Sequence, residues 1–368
     1  MKRRSFLKRA AIVGAAAAAG SALPAPAIAQ GRMEWRMVTT WPKNFPGLGT
    51  GAELVAKLIT RASGGRLRVK VYGAGEVVPA FEAMDAVAGG TVEMGHGAPY
   101  YWKGKVPAAQ YFAAIPFGLT AQEQNAWLQY GGGEALADEV YGELGCVFFP
   151  SGNTGVQMGG WFNKEIGRLD DFRGLKMRMP GLGGEVVRAV GGNIVNLPGG
   201  DVSTALQSGT VDAVEWVGPY NDLALGLYKN ARYYYYPGWH EPGTVLDCFI
   251  NRAKFEALPA DLQAIVRAAN TAVNQIVLSE FIARNNTALT KLVTEHGVEL
   301  RPFPAPVLSE LGRISEEVVG ELAAQDPLSR KVHDSITRFR RQATEWSKLS
   351  DQLYLHARRL TSAAAAAG

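Results

Sequence analysis

The chain has 368 residues, 47% hydrophobic and 20% charged, which is long enough for two packed cores and globular in balance. Its formal net charge of +4 rests on five basic residues at the extreme N-terminus, Lys2, Arg3, Arg4, Lys8 and Arg9. Without those five, 33 basic residues face 34 acidic ones, so the body of the protein has no basic field for nucleic acid.

The basic head leads into the alanine-rich, mildly apolar stretch Ala10–Leu23 and then Ala27-Ile28-Ala29, a small-x-small cleavage pattern. Residues 1–29 read as a signal peptide removed after Ala29, and Arg3-Arg4-Ser5-Phe6-Leu7-Lys8 resembles a twin-arginine export signal. The apolar run is shorter than the about 20 residues a membrane span needs, so the expected location is the periplasm, reached by the twin-arginine route. Cys146 and Cys248 each lie in an apolar, strand-like run. Export would permit a disulfide, but cargo folded in a reducing cytoplasm should not depend on one, and two buried thiols are expected.

Trp35–Thr40 predicts a strand, Ala52–Ala62 an amphipathic helix stopped by Ser63-Gly64-Gly65, and Leu67–Tyr72 a second strand. A helix over Phe81–Ala88 and a strand over Val92–Met94 continue the rhythm of an open α/β sheet, in a unit reaching about Pro150. The glycine-rich stretch Gly152–Trp161 bears amides and an indole but has neither nucleotide fingerprint, so it reads as turn and crossover. In Phe172–Pro180, Leu175, Met177 and Met179 alternate with Lys176 and Arg178, the period of a short strand with one polar face. A guanidinium fixed on a strand can offer its planar fork to a carboxylate in one orientation, although a solvated strand face has the same pattern.

A helix near Gly184–Val190, a strand near Ile194–Leu197 and a short helix over Thr204–Ser208 follow. Val211–Val217 reads as a buried strand carrying Asp212, Glu215 and Trp216, and a carboxylate beside an indole near a strand end is where open α/β folds contact ligands. Tyr233–Tyr236 reads as an aromatic strand, and Glu241 sits on a turn among prolines and glycines. Val245–Asn251 is expected to return to the first unit, giving a hinge of more than one crossing. From Leu258-Pro259 to about Glu295 the pattern is one helix of about 50 Å. Leu328–Leu360 is a last helical region whose apolar seam fits either a fold back on the chain or another subunit.

These stretches resemble the solute receptors of TRAP transporters, tripartite periplasmic carriers of organic acids. The resemblance covers nearly the whole mature chain and is carried by Gly174-Leu-Lys-Met-Arg-Met-Pro180, Gly152-Asn-Thr-Gly-Val-Gln-Met-Gly-Gly-Trp-Phe162, Val211-Asp-Ala-Val-Glu-Trp-Val-Gly-Pro-Tyr220 and Tyr233-Tyr-Tyr-Tyr-Pro-Gly-Trp-His-Glu241. Within that family it is most similar to the α-keto acid receptors. It implies an α/β periplasmic-binding-protein clamshell of two domains, a long helix bridging both, and a helical C-terminal tail. The expected divisions are 30–155 with 244–282, 156–243 with 283–327, and a tail of 328–368.

The resemblance further implies that Arg178 holds the acid group of a pyruvate-like 2-oxo monocarboxylate, with lactate or a dicarboxylate as alternatives. A cation would be held by substrate, Gln157, Glu215, the backbone carbonyl of Trp216, and Glu241. Tyr100 and Tyr101, after His96, would line the first-domain wall, and Asn153 would add an amide. Met94-Gly95 and Ala98-Pro99 around His96, and His240 beside Glu241, depart from the family pattern. Two glutamates, an anionic ligand and one arginine leave an excess of two negative charges, which favours a cation independently of the resemblance. Oxygen ligands suit sodium, which the resemblance favours, or calcium, and disfavour zinc. The implied partners are the small and large membrane subunits of the transporter, with a homodimer possible through the C-terminal helix.

An enzyme is the rival class, with His96, His240 and Glu241 as conceivable metal ligands. No His-x-His or His-Glu-x-x-His spacing and no Gly-x-Ser-x-Gly elbow supports one, so a non-enzymatic receptor is expected. A receptor for an ATP-driven importer would share the clamshell.

Overall fold

The computed structural model of the chain describes residues 31–367, so the signal peptide and its cleavage site lie outside the described residues. Among the described residues, eleven strands form two sheets. The first has five strands in the order β2-β1-β3-β10-β4, with β1 Met33–Thr39, β2 Leu67–Tyr72, β3 Met94–Gly97, β4 Cys146–Asn153 and β10 Val245–Asn251. The second has six in the order β11-β9-β5-β8-β6-β7, with β5 Gly160–Phe162, β6 Lys176–Arg178, β7 Asn193–Val195, β8 Ala213–Val214, β9 Tyr233–Tyr236 and β11 Glu299–Pro302. Helices cover the sheets, so the architecture is the expected mixed α/β fold.

β1 pairs in parallel with β2 and β3, as helical crossovers require, whereas β10 enters antiparallel between β3 and β4. Val245–Ile250 are all buried, which accounts for an apolar run without alternation. The chain therefore leaves the first sheet after Asn153, returns at Val245, and departs again through the helix Ala260–Thr294. That helix has 35 residues and packs on β4, on the helix Gly49–Ala62 and on the short helix Pro219–Leu225. Two buried asparagines tie it to the end of β4: Asn270 Oδ1 accepts from Ser151 Oγ at 2.8 Å, and Asn274 Oδ1 from the Gly152 N–H at 3.2 Å.

The strand expected over Val211–Val217 is shorter, Ala213–Val214, so Glu215 and Trp216 stand just past its end. Periodicity did not anticipate the helices Ala121–Tyr130, Gly133–Gly142 and Ala305–Ala324. The expected C-terminal helix is two helices, Pro327–Ser347 and Asp351–Ala367, and its seam divides with them. Val332 and Ile336 are buried, and Phe339 and Ala343 pack on the same core, so the first half folds back on the chain. Trp346, Leu349, Leu353, Tyr354, Leu355 and Leu360 are exposed. Cys146 and Cys248 are buried free thiols, separated along the β10–β4 register. Among the described residues, no helix is long and apolar enough to cross a membrane.

Candidate functional site

Arg178 closes β6, where Met177 and its neighbours Leu175 and Met179 fill the core. Lys176, two residues earlier on the same face, is exposed, whereas Arg178 is 1% exposed because the turn after β8 covers it. Its Nη1 donates to the Glu215 carbonyl at 2.6 Å and to Glu215 Oε2 at 2.8 Å. Trp216 lies over the guanidinium, with Cζ 4.9 Å from the ring centroid. Nη2 has the Tyr101 hydroxyl at 3.4 Å, longer than an ordinary hydrogen bond, and this edge of the fork is the one able to take a carboxylate.

The turn carrying Glu215 and Trp216 is held from behind by Asp222. Its Oδ1 accepts from the N–H groups of Val217 and Gly218 at 3.3 and 3.1 Å, and its Oδ2 from Trp161 Nε1 at 2.9 Å and the Tyr234 hydroxyl at 2.7 Å. The aromatic strand thus supports the site from outside the pocket. Tyr100 and Tyr101 enter from the first sheet's side, their rings edge to face at 4.8 Å. Gly181 sits at φ +64° with the Tyr100 ring 3.1 Å from where a Cβ would be, so glycine permits both the turn and the approach.

Across the pocket, Gln157 Nε2 donates to Glu241 Oε2 at 2.7 Å, with Thr154 Oγ1 at 3.1 Å and Thr244 Oγ1 at 3.2 Å. Thr244 also donates to Glu241 Oε2. Burial pushes the Glu215 carboxyl up to about 8 against the pull of Arg178. Burial, with the Glu215 charge, pushes Glu241 up to about 7, and burial lowers His240 to about 4, leaving it neutral. Glu215 Oε1 and Gln157 Oε1 are buried without hydrogen-bond partners. Ligand atoms of Glu215, His240 and Glu241 lie within 4.8 Å of one another.

The structure therefore gathers Arg178, Gln157, Glu215, Trp216, Glu241, Tyr100 and Tyr101 in one place. Asn153 ends β4, where Nδ2 donates to the Gly243 carbonyl at 3.1 Å and Oδ1 accepts from the Gly155 N–H at 2.9 Å, so it shapes the crossover turn. His96 is remote from the acidic group, with Nδ1 accepting from Trp41 Nε1 at 2.9 Å and Nε2 3.3 Å from the Ser151 carbonyl. The small cavity beside Arg178 is walled on its apolar side by Trp41, Leu48, Val217 and Leu246, with Thr154 among them. None of these five stood out in the sequence.

The model for bacterial extracellular solute-binding proteins of family 7 (DctP) matches residues 37–326. The chain belongs to this family, the solute receptors of TRAP transporters. A monocarboxylate 2-oxoacid-binding periplasmic protein of Nostoc sp. is 42% identical over 358 residues, covering 96% of this chain and 98% of that protein. A TRAP periplasmic solute-binding protein from Colwellia psychrerythraea, solved with calcium and pyruvate, superposes with a TM-score of 0.86 at 41% identity, covering 89% of this chain and 99% of that one. One from Pseudoalteromonas atlantica, solved with sodium and pyruvate, also gives 0.86, at 42% identity and 88% and 99% coverage.

Proposed function

We propose that this TRAP receptor binds a short 2-oxo monocarboxylate such as pyruvate together with a cation, and delivers it to the transporter's two membrane subunits without chemical change. The observation that carries the reading is the buried group of Arg178, Glu215, Glu241 and Gln157. Two of its oxygens, Glu215 Oε1 and Gln157 Oε1, have no partner. Idle, fully buried oxygens of this kind fit a metal ion. Gln157, Glu215, the Trp216 carbonyl and Glu241 would hold it, and sodium or calcium would supply positive charge toward the substrate oxygens. Arg178 holds the carboxylate, Tyr100 and Tyr101 close the wall, and Asn153 fixes the turn carrying Thr154 and Gln157. A dicarboxylate would press its second charge on Leu48, Val217 and Leu246, where no cation waits.

The division into 30–155 with 244–282, 156–243 with 283–327, and a tail of 328–368 is part of the same proposal, supported by which strands join which sheet. So are export by the twin-arginine route and self-association through the exposed end of the tail. Titration calorimetry of metal-stripped protein against pyruvate, longer 2-oxo acids, lactate and succinate, with and without sodium or calcium, tests the ligand. Pyruvate is expected to bind only when a cation is present. Equal affinity for succinate, or binding indifferent to every cation, overturns the reading.

A further inference from the structure

Just after β1 the chain makes a tight loop, residues 42–48, that belongs to the first sheet yet reaches the second unit. Its shape is set locally. The Phe45 N–H donates to the Pro42 carbonyl at 3.1 Å, the Thr50 N–H to the Phe45 carbonyl at 3.0 Å, and the Gly47 N–H to Thr50 Oγ1 at 2.9 Å. Gly47 stands at φ +68°, and a Cβ there would come 2.7 Å from the Phe281 ring, so the long helix backs the loop closely on that side. Phe45, and Trp41 just before the loop, meet Trp216 of the second unit edge to face, with ring centroids 6.2 and 6.3 Å away. Leu48 lines the ligand cavity. One polar bond joins this loop to the second unit: Asn221 Nδ2, on the short helix Pro219–Leu225, donates to the Pro46 carbonyl at 2.9 Å. The same carbonyl accepts from the Leu48 N–H at 2.7 Å, so the Leu48 wall and the bond to Asn221 share one atom.

Asn221 is fully buried, and its Oδ1 has no partner. A permanent stitch between the units would leave an idle buried acceptor as a standing cost. A contact made only on closure returns Oδ1 to water whenever the cleft opens. The neighbouring Asp222 holds the turn of Glu215 and Trp216, so one short helix carries both the support of the ligand site and its bond to the opposite unit. We propose, on the receptor reading above, that Asn221 is a positioning residue that latches the 42–48 loop over bound ligand, and that the latch senses ligand length. With pyruvate, Leu48 keeps its place and the Pro46 carbonyl meets Asn221. A 2-oxo acid two carbons longer presses its alkyl end on Leu48 and displaces the carbonyl tied to it, so the cleft closes without the bond. Preference for a short acid is then exerted partly through closure, outside the groups that hold carboxylate and cation.

Asn221→Ala removes the amide, and Asn221→Asp keeps its size but loses the donor. In calorimetry with Ca²⁺ present, both variants should bind pyruvate about tenfold more weakly, as loss of one buried neutral hydrogen bond implies, and 2-oxopentanoate as the parent does. The loss should appear as faster pyruvate dissociation in stopped-flow tryptophan fluorescence, because the latch forms after the ligand has bound. The ligand-free melting temperature of Asn221→Ala should match the parent, since the open cleft leaves Asn221 in water. Parent-like pyruvate affinity in both variants overturns the latch. Equal losses for the two acids, or a lowered ligand-free melting temperature, overturn it too and make Asn221 a packing residue. These outcomes remove Asn221 alone when the parent binds pyruvate, whereas a parent that does not bind pyruvate with Ca²⁺ removes the receptor reading as well.

Discussion

Arg178 combines two demands that its alternating strand made visible: a fixed backbone and a planar fork. Arg178→Lys keeps the charge but loses the fork, and the ammonium cannot hold Glu215 and present a second paired edge to a carboxylate. Pyruvate affinity is expected to fall about a hundredfold, measured by calorimetry. Unchanged affinity would remove Arg178 as the anchor. The glutamates make a separate prediction. Both have folded-state values above the ordinary carboxylate value of 4.5, near 8 for Glu215 and 7 for Glu241. The ion-free fold therefore keeps protons that the unfolded chain releases, so the contribution of this pair to stability is fully present below the ordinary carboxylate value and is lost as pH rises through those values. Above pH 7, where neutral His96 and His240 add nothing, the melting temperature of metal-stripped protein should fall toward pH 8.5. Saturating cation should oppose the fall, and a melting temperature flat with pH would contradict the paired burial. Arg178, Glu215 and Glu241 were legible because charge on a strand or tight turn is conspicuous. Thr244, Leu48 and Trp41 were not, since contacts such as Gln157 to Thr244, 87 positions apart, leave no local pattern.

At the scale of elements, strands with strict alternation and the long uninterrupted helix could be read directly from period. The helices Ala121–Tyr130 and Gly133–Gly142 could not, because each is ten residues long and bounded by glycine. The C-terminal region shows why an apolar seam alone does not choose its partner. Trp127 Nε1 donates to Ser335 Oγ at 3.2 Å and Ile336 enters the core, whereas Leu353 and Leu360 meet no such surface. Removing the residues after Lys348 is accordingly expected to abolish self-association in sedimentation while leaving the melting temperature in place. A cut after Asp334 should instead destabilise the fold, since it strips Ile336 and Phe339 from the core. A parent chain that sediments as a monomer at high concentration would leave the exposed helix without this role.

At the scale of the molecule, the site is assembled from both sheets: Tyr100 and Tyr101 approach from one side and Arg178, Glu215 and Glu241 from the other. Opening must therefore separate Tyr101 from Arg178, a contact of only 3.4 Å reach and little strength. Ligand and cation together are expected to shift the population toward the compact form, read as a smaller radius of gyration in solution scattering. An unchanged radius at saturation would argue for a rigid pocket. The long helix must accommodate this motion, and its packing is uneven. Nine of its residues from Leu262 to Phe281 are buried, and none is buried between Phe281 and Ala288. Over that interval its side chains are tied to one neighbouring residue, Tyr220, through Asn285 Oδ1 accepting from the Tyr220 N–H at 2.9 Å and the Arg284 guanidinium 5.5 Å from the Tyr220 ring centroid. A stretch supported by little beyond its own backbone ladder is mechanically compliant, the place where a stiff rod yields first. Amides of residues 283–287 should exchange with deuterium well before those of 266–281, and ligand should slow them most. Uniform protection along the rod would instead place the give of the molecule in the two crossing segments, 154–159 and 237–244.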